Sequence, residues 1–312
     1  MSLRASTRPL SASLKASAVR TYTRPASVEL VYDVFEPAEL KNPDQSLVLC
    51  HGLFGSKQNW RSLAKGFAQR LGMPVYALDM RNHGMSPAVQ PHGYAGMAED
   101  IAALAQKTGI KSGMNLLGHS MGGKAVQAYA LNKELNSNLR SMIAIDMTAA
   151  TGKVAPIFME YINAMREVEA AKVSSRADAD KIMEKVEPDV AIRQFLLTNV
   201  LNKDDGDGKS YLAFRVPLDI MAEEIPEIGG FPYTQPPPVT EDSPQWDGPA
   251  LFIKGKKSPY INRKNIPVCE AYFPNMQLVT LDTGHWVHAE QPAQTTDAVA
   301  KFIAGERVDN RE

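Results

Sequence analysis

The stretch MNLLGHSMGGKA, residues 114–125, decides the fold. Its apolar start reads as a short buried strand, and the residues after it read as the opening of a helix. Between them stand Gly118-His119-Ser120-Met121-Gly122, a G-x-S-x-G pattern that places a serine on a sharp strand-to-helix turn. The two glycines have a mechanical reason. On so tight a turn, a bulky side chain two residues either side of the serine would collide with the neighbouring backbone. The turn lifts the Ser120 hydroxyl above the sheet edge and aims the N–H groups of the following helix at the same point. Gly118 to Lys124 also satisfies G-x-x-x-x-G-K, the start of a phosphate-binding loop. That loop needs a serine or threonine next to hold magnesium, and the residue here is Ala125.

A serine hydroxyl attacks a carbonyl only with a base to take its proton and donors to hold the oxyanion. In LVLCHGLFGS (47–56), His51-Gly52 follows a strand-like run. The loop there supplies one backbone N–H, assigned to Leu53, and Met121, directly after the nucleophile, supplies the other. His51 reads as a brace for that loop rather than as the base. The base is assigned to His285 in LDTGHWVHAEQP (281–292). Gly284 frees the loop to aim it, whereas the competing His288 falls where a helix begins. His83 and His92 read as structural or supporting residues, and no histidine spacing suits a metal.

The expected chain order is serine, acid, histidine. Many such folds carry the acid on the loop after the strand ALFIKG (250–255), but that loop holds Lys256, Lys257 and Ser258. One strand earlier, LRSMIAIDMTAA (139–150) ends its apolar run in Asp146. A carboxylate there also emerges at the C-terminal edge of the sheet, where ligand sites gather. Asp146 is therefore assigned as the acid that holds the far nitrogen of His285; its simplest structural use would be a cap on the next turn. Asp282 lies closer to His285 in sequence but sits at a strand end and ranks lower.

Outward from this centre, short apolar runs alternate with amphipathic segments. VELVYDVF (28–35), SLVLC (46–50), MPVYALDM (73–80) and MQLVTLD (276–282) read as strands, and NWRSLAKGFAQRLG, GMAEDIAALAQKTG and PAQTTDAVAKFIAG as helices. Continuous apolar strands separated by such helices predict a mostly parallel sheet covered on both faces. From about Thr148 to Trp246 no strand is expected. PIFMEYINAMREVEA, DADKIMEKVE and AIRQFLLTNVL read as helices of a cap lying over the sheet edge, closed by the proline-rich YTQPPPVTEDSPQW. The expected divisions are a leader at 1–22, the first part of the core at 23–147, a helical cap at 148–246 and the second part of the core at 247–312.

Composition bounds the partners. With 44% hydrophobic and 22% charged residues the chain is ordinary for a globular protein, and a net charge of −1 gives no reason to propose nucleic acid. No apolar run approaches the roughly 20 residues that span a bilayer. Cys50 and Cys269 are too few for a disulfide framework, which suits a reducing compartment. The opening residues carry Arg4, Arg8, Lys15, Arg20 and Arg24 with no acid before Glu29. That is the composition of a mitochondrial transit peptide, and VRTYT suggests cleavage after Tyr22.

Taken together and in order, HGLFGS, LDMRNHGMS, GHSMGGK, IAIDM, GKKSPYI and GHWVHAEQP resemble one branch of the alpha/beta-hydrolase superfamily. That branch includes alpha/beta-hydrolase domain-containing protein 11, related bacterial esterases and yeast ethanol acetyltransferase. The resemblance covers roughly residues 28–305. It implies the alpha/beta-hydrolase fold, a catalytic set at Ser120, Asp146 and His285, and a serine where Ser258 stands. It implies no resident cofactor, with acetyl-coenzyme A as a possible co-substrate. Three readings of function follow: a mitochondrial serine hydrolase of small esters or thioesters, an alcohol acetyltransferase using acetyl-coenzyme A, and a non-catalytic protein whose pocket protects a partner.

Overall fold

A computed structural model describes residues 26–234 and 243–310. The leader expected at 1–22 and the run QPPPVTED (235–242) lie outside the described residues. The first part of the chain runs β1 (Tyr32–Phe35), β2 (Ser46–Cys50), α1 (Arg61–Leu71), β3 (Val75–Leu78), α2 (Tyr94–Thr108), β4 (Met114–His119), α3 (Met121–Leu131) and β5 (Leu139–Ile145). An insertion follows, with α4 (Ile157–Ala170), α5 (Arg176–Glu184), α6 (Val190–Leu197), β6 (Val200–Asp204), β7 (Ser210–Phe214) and α7 (Leu218–Gly229). The core resumes with β8 (Ala250–Gly255), α8 (Ile266–Tyr272), β9 (Met276–Leu281), α9 (Val287–Glu290) and α10 (Pro292–Ile303).

The core strands form a sheet in the order β1-β3-β2-β4-β5-β8-β9. All neighbours are parallel except β1, which runs antiparallel to β3. Successive side chains of a strand point to opposite faces, so an unbroken apolar run must be covered twice. Val48, Cys50, Leu116, Ala144 and Phe252 pack on one face against α2, α3 and the insertion. Leu47, Leu49, Leu117, Ile143 and Ile253 pack on the other, against α1 and α10. The chain leaves β2 for β3 on one side and then crosses to β4 on the other. That reversal opens a crevice at the carboxyl ends of β2 and β4, the place where open sheets of this kind bind ligands.

The insertion stands between β5 and β8, and its first helix buries the stripe Tyr161, Ile162, Met165 and Val168. One expectation is corrected. The cap is not all helix, because β6 and β7 pair as an antiparallel hairpin, from Val200 opposite Phe214 to Asp204 opposite Ser210. Its turn uses Gly206 and Gly208 at positive φ, and the Asp205 carboxylate accepts from the Asp207 and Lys209 N–H groups. In the sequence, the apolar residues of NVL continue the helical pattern of AIRQFLLTNVL and hide the strand. The glycine- and aspartate-rich turn DDGDGK (204–209) is the sequence signal of the hairpin. Among the described residues, no helix is long and apolar enough to cross a membrane.

Candidate active site

Ser120 stands between β4 and α3 with φ 52° and ψ −118°. A non-glycine residue in that region costs about 1–3 kcal/mol and persists only where its surroundings enforce it. Here the glycines do so. A Cβ at Gly122 would stand 2.5 Å from the Cys50 carbonyl oxygen, and one at Gly118 would enter the Gly122 carbonyl. The strain holds the hydroxyl clear of the backbone at the crevice.

The Ser120 Oγ lies 2.9 Å from Nε2 of His285, and Nδ1 of the same ring lies 2.7 Å from Oδ2 of Asp146. The carboxylate has no exposed surface and, like the serine, sits at positive φ (49°). Two more donors reach it: the Gly255 N–H at 3.0 Å on Oδ1 and the Ser258 hydroxyl on Oδ2. The loop after β8 therefore does serve the acid, though it carries none. Together with Gly255, the last residue of β8, it supplies two of the three donors that hold a carboxylate placed one strand earlier. Asp282 is elsewhere, mostly exposed and paired with Lys257. His285 is further set by Tyr260, whose ring stacks on it at 4.2 Å, and by His119, whose Nε2–H donates to the His285 carbonyl at 2.9 Å. His288 falls in α9, buried and stacked on Trp60, and burial lowers its pKa to about 3. It is held neutral, and the imidazole that bonds the Ser120 hydroxyl is that of His285.

The loop carrying Leu53 is braced from three sides. His51 donates through Nδ1 to the Gly52 carbonyl at 2.8 Å and accepts the Met80 N–H on Nε2 at 3.0 Å. The Phe54 N–H donates to Nε2 of His83 at 3.0 Å, and the Phe54 carbonyl accepts from Nδ2 of the cap residue Asn199 at 2.7 Å. Phe54 itself is at φ 60°. Leu53 thus lies between two pinned residues, while Met121 heads α3 in the first turn, whose N–H groups have no partner within the helix. The expected bracing role of His51 and the supporting role of His83 are what the structure shows. The role of Asn199 was not legible, because it lies 145 residues from the loop it holds.

These braces make a pH prediction. Both imidazoles accept a backbone N–H and so must be neutral, and burial lowers His51 to about 4 and His83 to about 3. A histidine whose folded pKa is depressed contributes stability above its unfolded value near 6.5, and that stability is lost as pH falls toward the folded value. Chemical denaturation at a series of pH values should show stability falling between about pH 6.5 and 4, by roughly 3 kcal/mol for His51 alone. A flat profile over that window would contradict the bracing.

Two cavities meet at Ser120. One, of about 330 Å³, lies beneath the cap beside His285, walled by Leu53, Phe158, Tyr161, Phe195, Leu196 and Trp286. The other, of about 450 Å³, runs past Met121 toward α7 and the loop after β8. Such an arrangement leaves one class of protein, an enzyme that attacks carbonyl carbon through an activated hydroxyl. The chain belongs to the alpha/beta hydrolase fold family, whose model matches residues 45–292. It is 34% identical over 282 residues to the sn-1-specific diacylglycerol lipase ABHD11 of Xenopus tropicalis, covering 88% of this chain and 82% of that one. It is 32% identical over 294 residues to a probable alcohol acetyltransferase of Saccharomyces cerevisiae, covering 88% and 83%. Among solved structures, a marine microorganism esterase superposes with a TM-score of 0.77 at 28% identity, covering 88% of this chain and 99% of that one.

Proposed function

We propose that this protein is a serine hydrolase that cleaves small esters or thioesters through an acyl intermediate on Ser120. The observation that carries the reading is the unbroken path from the Ser120 hydroxyl through both nitrogens of His285 to buried Asp146. His285 takes the Ser120 proton as Oγ bonds to the substrate carbonyl carbon. The oxyanion is received by the Leu53 and Met121 N–H groups, each such donor typically contributing about 3–4 kcal/mol to the transition state. The leaving alcohol or thiol then departs with the proton from Nε2. Water, deprotonated by the same imidazole, repeats the steps and frees the acid.

The similarity to the yeast acetyltransferase supports a second reading, in which an alcohol replaces water and acetyl-coenzyme A supplies the acyl group. The apolar cavity lined by His285 suits a small alcohol as well as it suits water. Acetyl-coenzyme A offered with and without ethanol separates the two. Ethyl acetate formed by intact protein and lost in Ser120→Ala places transfer first, and acetate alone places hydrolysis first. Both readings predict that a fluorophosphonate labels folded protein at Ser120 and nowhere in Ser120→Ala. Absence of labelling would return the non-catalytic, partner-protecting reading to the front. A mitochondrial location is part of the proposal and rests on the basic, acid-free leader. Fractionation of cells expressing the full chain and a version lacking residues 1–22 tests it.

A further inference from the structure

The two cavities at Ser120 differ in chemistry, and the difference deepens the hydrolase reading, on which this inference rests. When the tetrahedral intermediate collapses, the departing atom must take its proton from Nε2 of His285. The leaving group therefore belongs in the cavity that His285 lines, and the acyl group belongs in the second, which His285 does not line. Among the described residues, no lysine, arginine, aspartate or glutamate lines the first. Lys124 and Lys153 line the second, together with Tyr94, Asn262 and Asn265, and among the described residues no carboxylate does.

Lys124 is the unusual group. It follows Ser120 by one turn of α3, about 6 Å along the helix axis, yet its side chain is 4% exposed. Its Nζ donates to the carbonyls of Gly229 at 3.0 Å and Gly230 at 2.9 Å, at the end of α7, and lies over the Tyr94 ring. Among the described residues it has no ion pair. An ammonium has three donors, and two are used on neutral carbonyls. A helix C-terminus offers about half an elementary charge, so among the described residues the amine keeps a positive charge that no carboxylate neutralises and a third N–H with no hydrogen-bond acceptor, on a residue that lines the cavity. Burial lowers its pKa to about 8, which leaves it mostly protonated at neutral pH. Lys153 is exposed at the same cavity.

We propose that the second cavity receives a short acyl group ending in a carboxylate, which the Lys124 ammonium binds one helical turn from the nucleophile. The preferred substrates are then half-esters or half-thioesters of short dicarboxylic acids. The chemistry is unchanged: the Ser120 Oγ–carbon bond forms as the carbon–oxygen or carbon–sulfur bond breaks, the proton passes through His285 to the leaving group, and the distal carboxylate stays ionised.

The test compares monoethyl succinate with ethyl butyrate, which share a leaving group and differ in whether the acyl chain ends in a carboxylate or a methyl. Full-length protein should hydrolyse the succinate half-ester with at least tenfold higher kcat/KM, and Lys124→Met should lower that ratio at least tenfold. Lys124 also fastens α7, and simple loss of that fastening would slow both esters alike and leave the ratio in place. Succinate and butyrate as inhibitors of ethyl butyrate hydrolysis provide a readout without any variant, with succinate expected to act at tenfold lower concentration. Equal ratios in wild type and Lys124→Met, or equal inhibition by the two acids, overturns the proposal. Ethyl butyrate hydrolysis that is lost in Ser120→Ala upholds the hydrolase reading in either case, so the two readings fail separately.

Discussion

Asp146→Asn is expected to lower kcat/KM for any ester this protein cleaves by about 10⁴, the effect of the equivalent change in a serine protease, while the protein stays folded. The reason lies in how many donors the carboxylate serves. An ionised carboxylate only accepts, and here it accepts from the Gly255 N–H, the Ser258 hydroxyl and Nδ1 of His285. An asparagine has one oxygen for these donors and presents an NH₂ to the remainder. If the NH₂ faces His285, the ring must place its proton on Nε2, and it then cannot accept from Ser120. Catalysis fails through the tautomer, although every group remains in place. Asp282→Asn is the control and should change kcat/KM less than threefold, because that carboxylate is an exposed partner of Lys257. Equal losses in the two variants would remove Asp146 from the mechanism.

The second large effect concerns stability. Arg81 and Asp100 are both without exposed surface and form a two-point ion pair, Nε to Oδ2 at 2.6 Å and Nη2 to Oδ1 at 2.7 Å. The guanidinium also donates to the carbonyls of Ala26, Pro91 and Gly96, and Asp100 accepts the Val28 N–H. One pair thus joins the start of the described chain, the loop after β3 and α2. Arg81→Met should destabilise the protein by roughly 3–5 kcal/mol, the cost of leaving one buried charge without its partner. Arg81→Met combined with Asp100→Leu should recover part of that loss, since removing both charges also removes their burial penalty. Urea denaturation of the three proteins measures this, and an Arg81→Met midpoint matching wild type would contradict it. The effect reaches the active site, because His83, which holds the Phe54 N–H, lies two residues beyond Arg81 on the same loop.

How much of this was legible follows from the range of each interaction. The strands were legible because two-sided burial demands unbroken apolar runs such as SLVLC and MNLLG, a local property of the chain. The elbow was legible from its glycine spacing, and at Gly118 the crowding against the Gly122 carbonyl acts within one turn, whereas Gly122 is crowded by the Cys50 carbonyl of the neighbouring strand. The assignment of Asp146 followed from its place at a strand end, since parallel strands deliver their carboxyl ends to a common edge. Ser120, Asp146 and His285 duly converge there, though 165 residues separate the serine from the histidine. The cap hairpin was hidden where a helical pattern ran on into a strand, and only pairing with β7 distinguishes them.

The amino-acid sequence by itself determined the sheet, the strained serine and the order of the three reacting groups, because periodicity and turn chemistry act over a few neighbouring residues. Only the tertiary structure decided that Ser258 donates to the acid instead of replacing it, that Asn199 of the cap holds the oxyanion loop, and that the Lys124 ammonium has no counter-charge among the described residues. Each of these depends on which distant backbone or side chain comes within 3 Å. Packing sets that distance, and no local pattern encodes it.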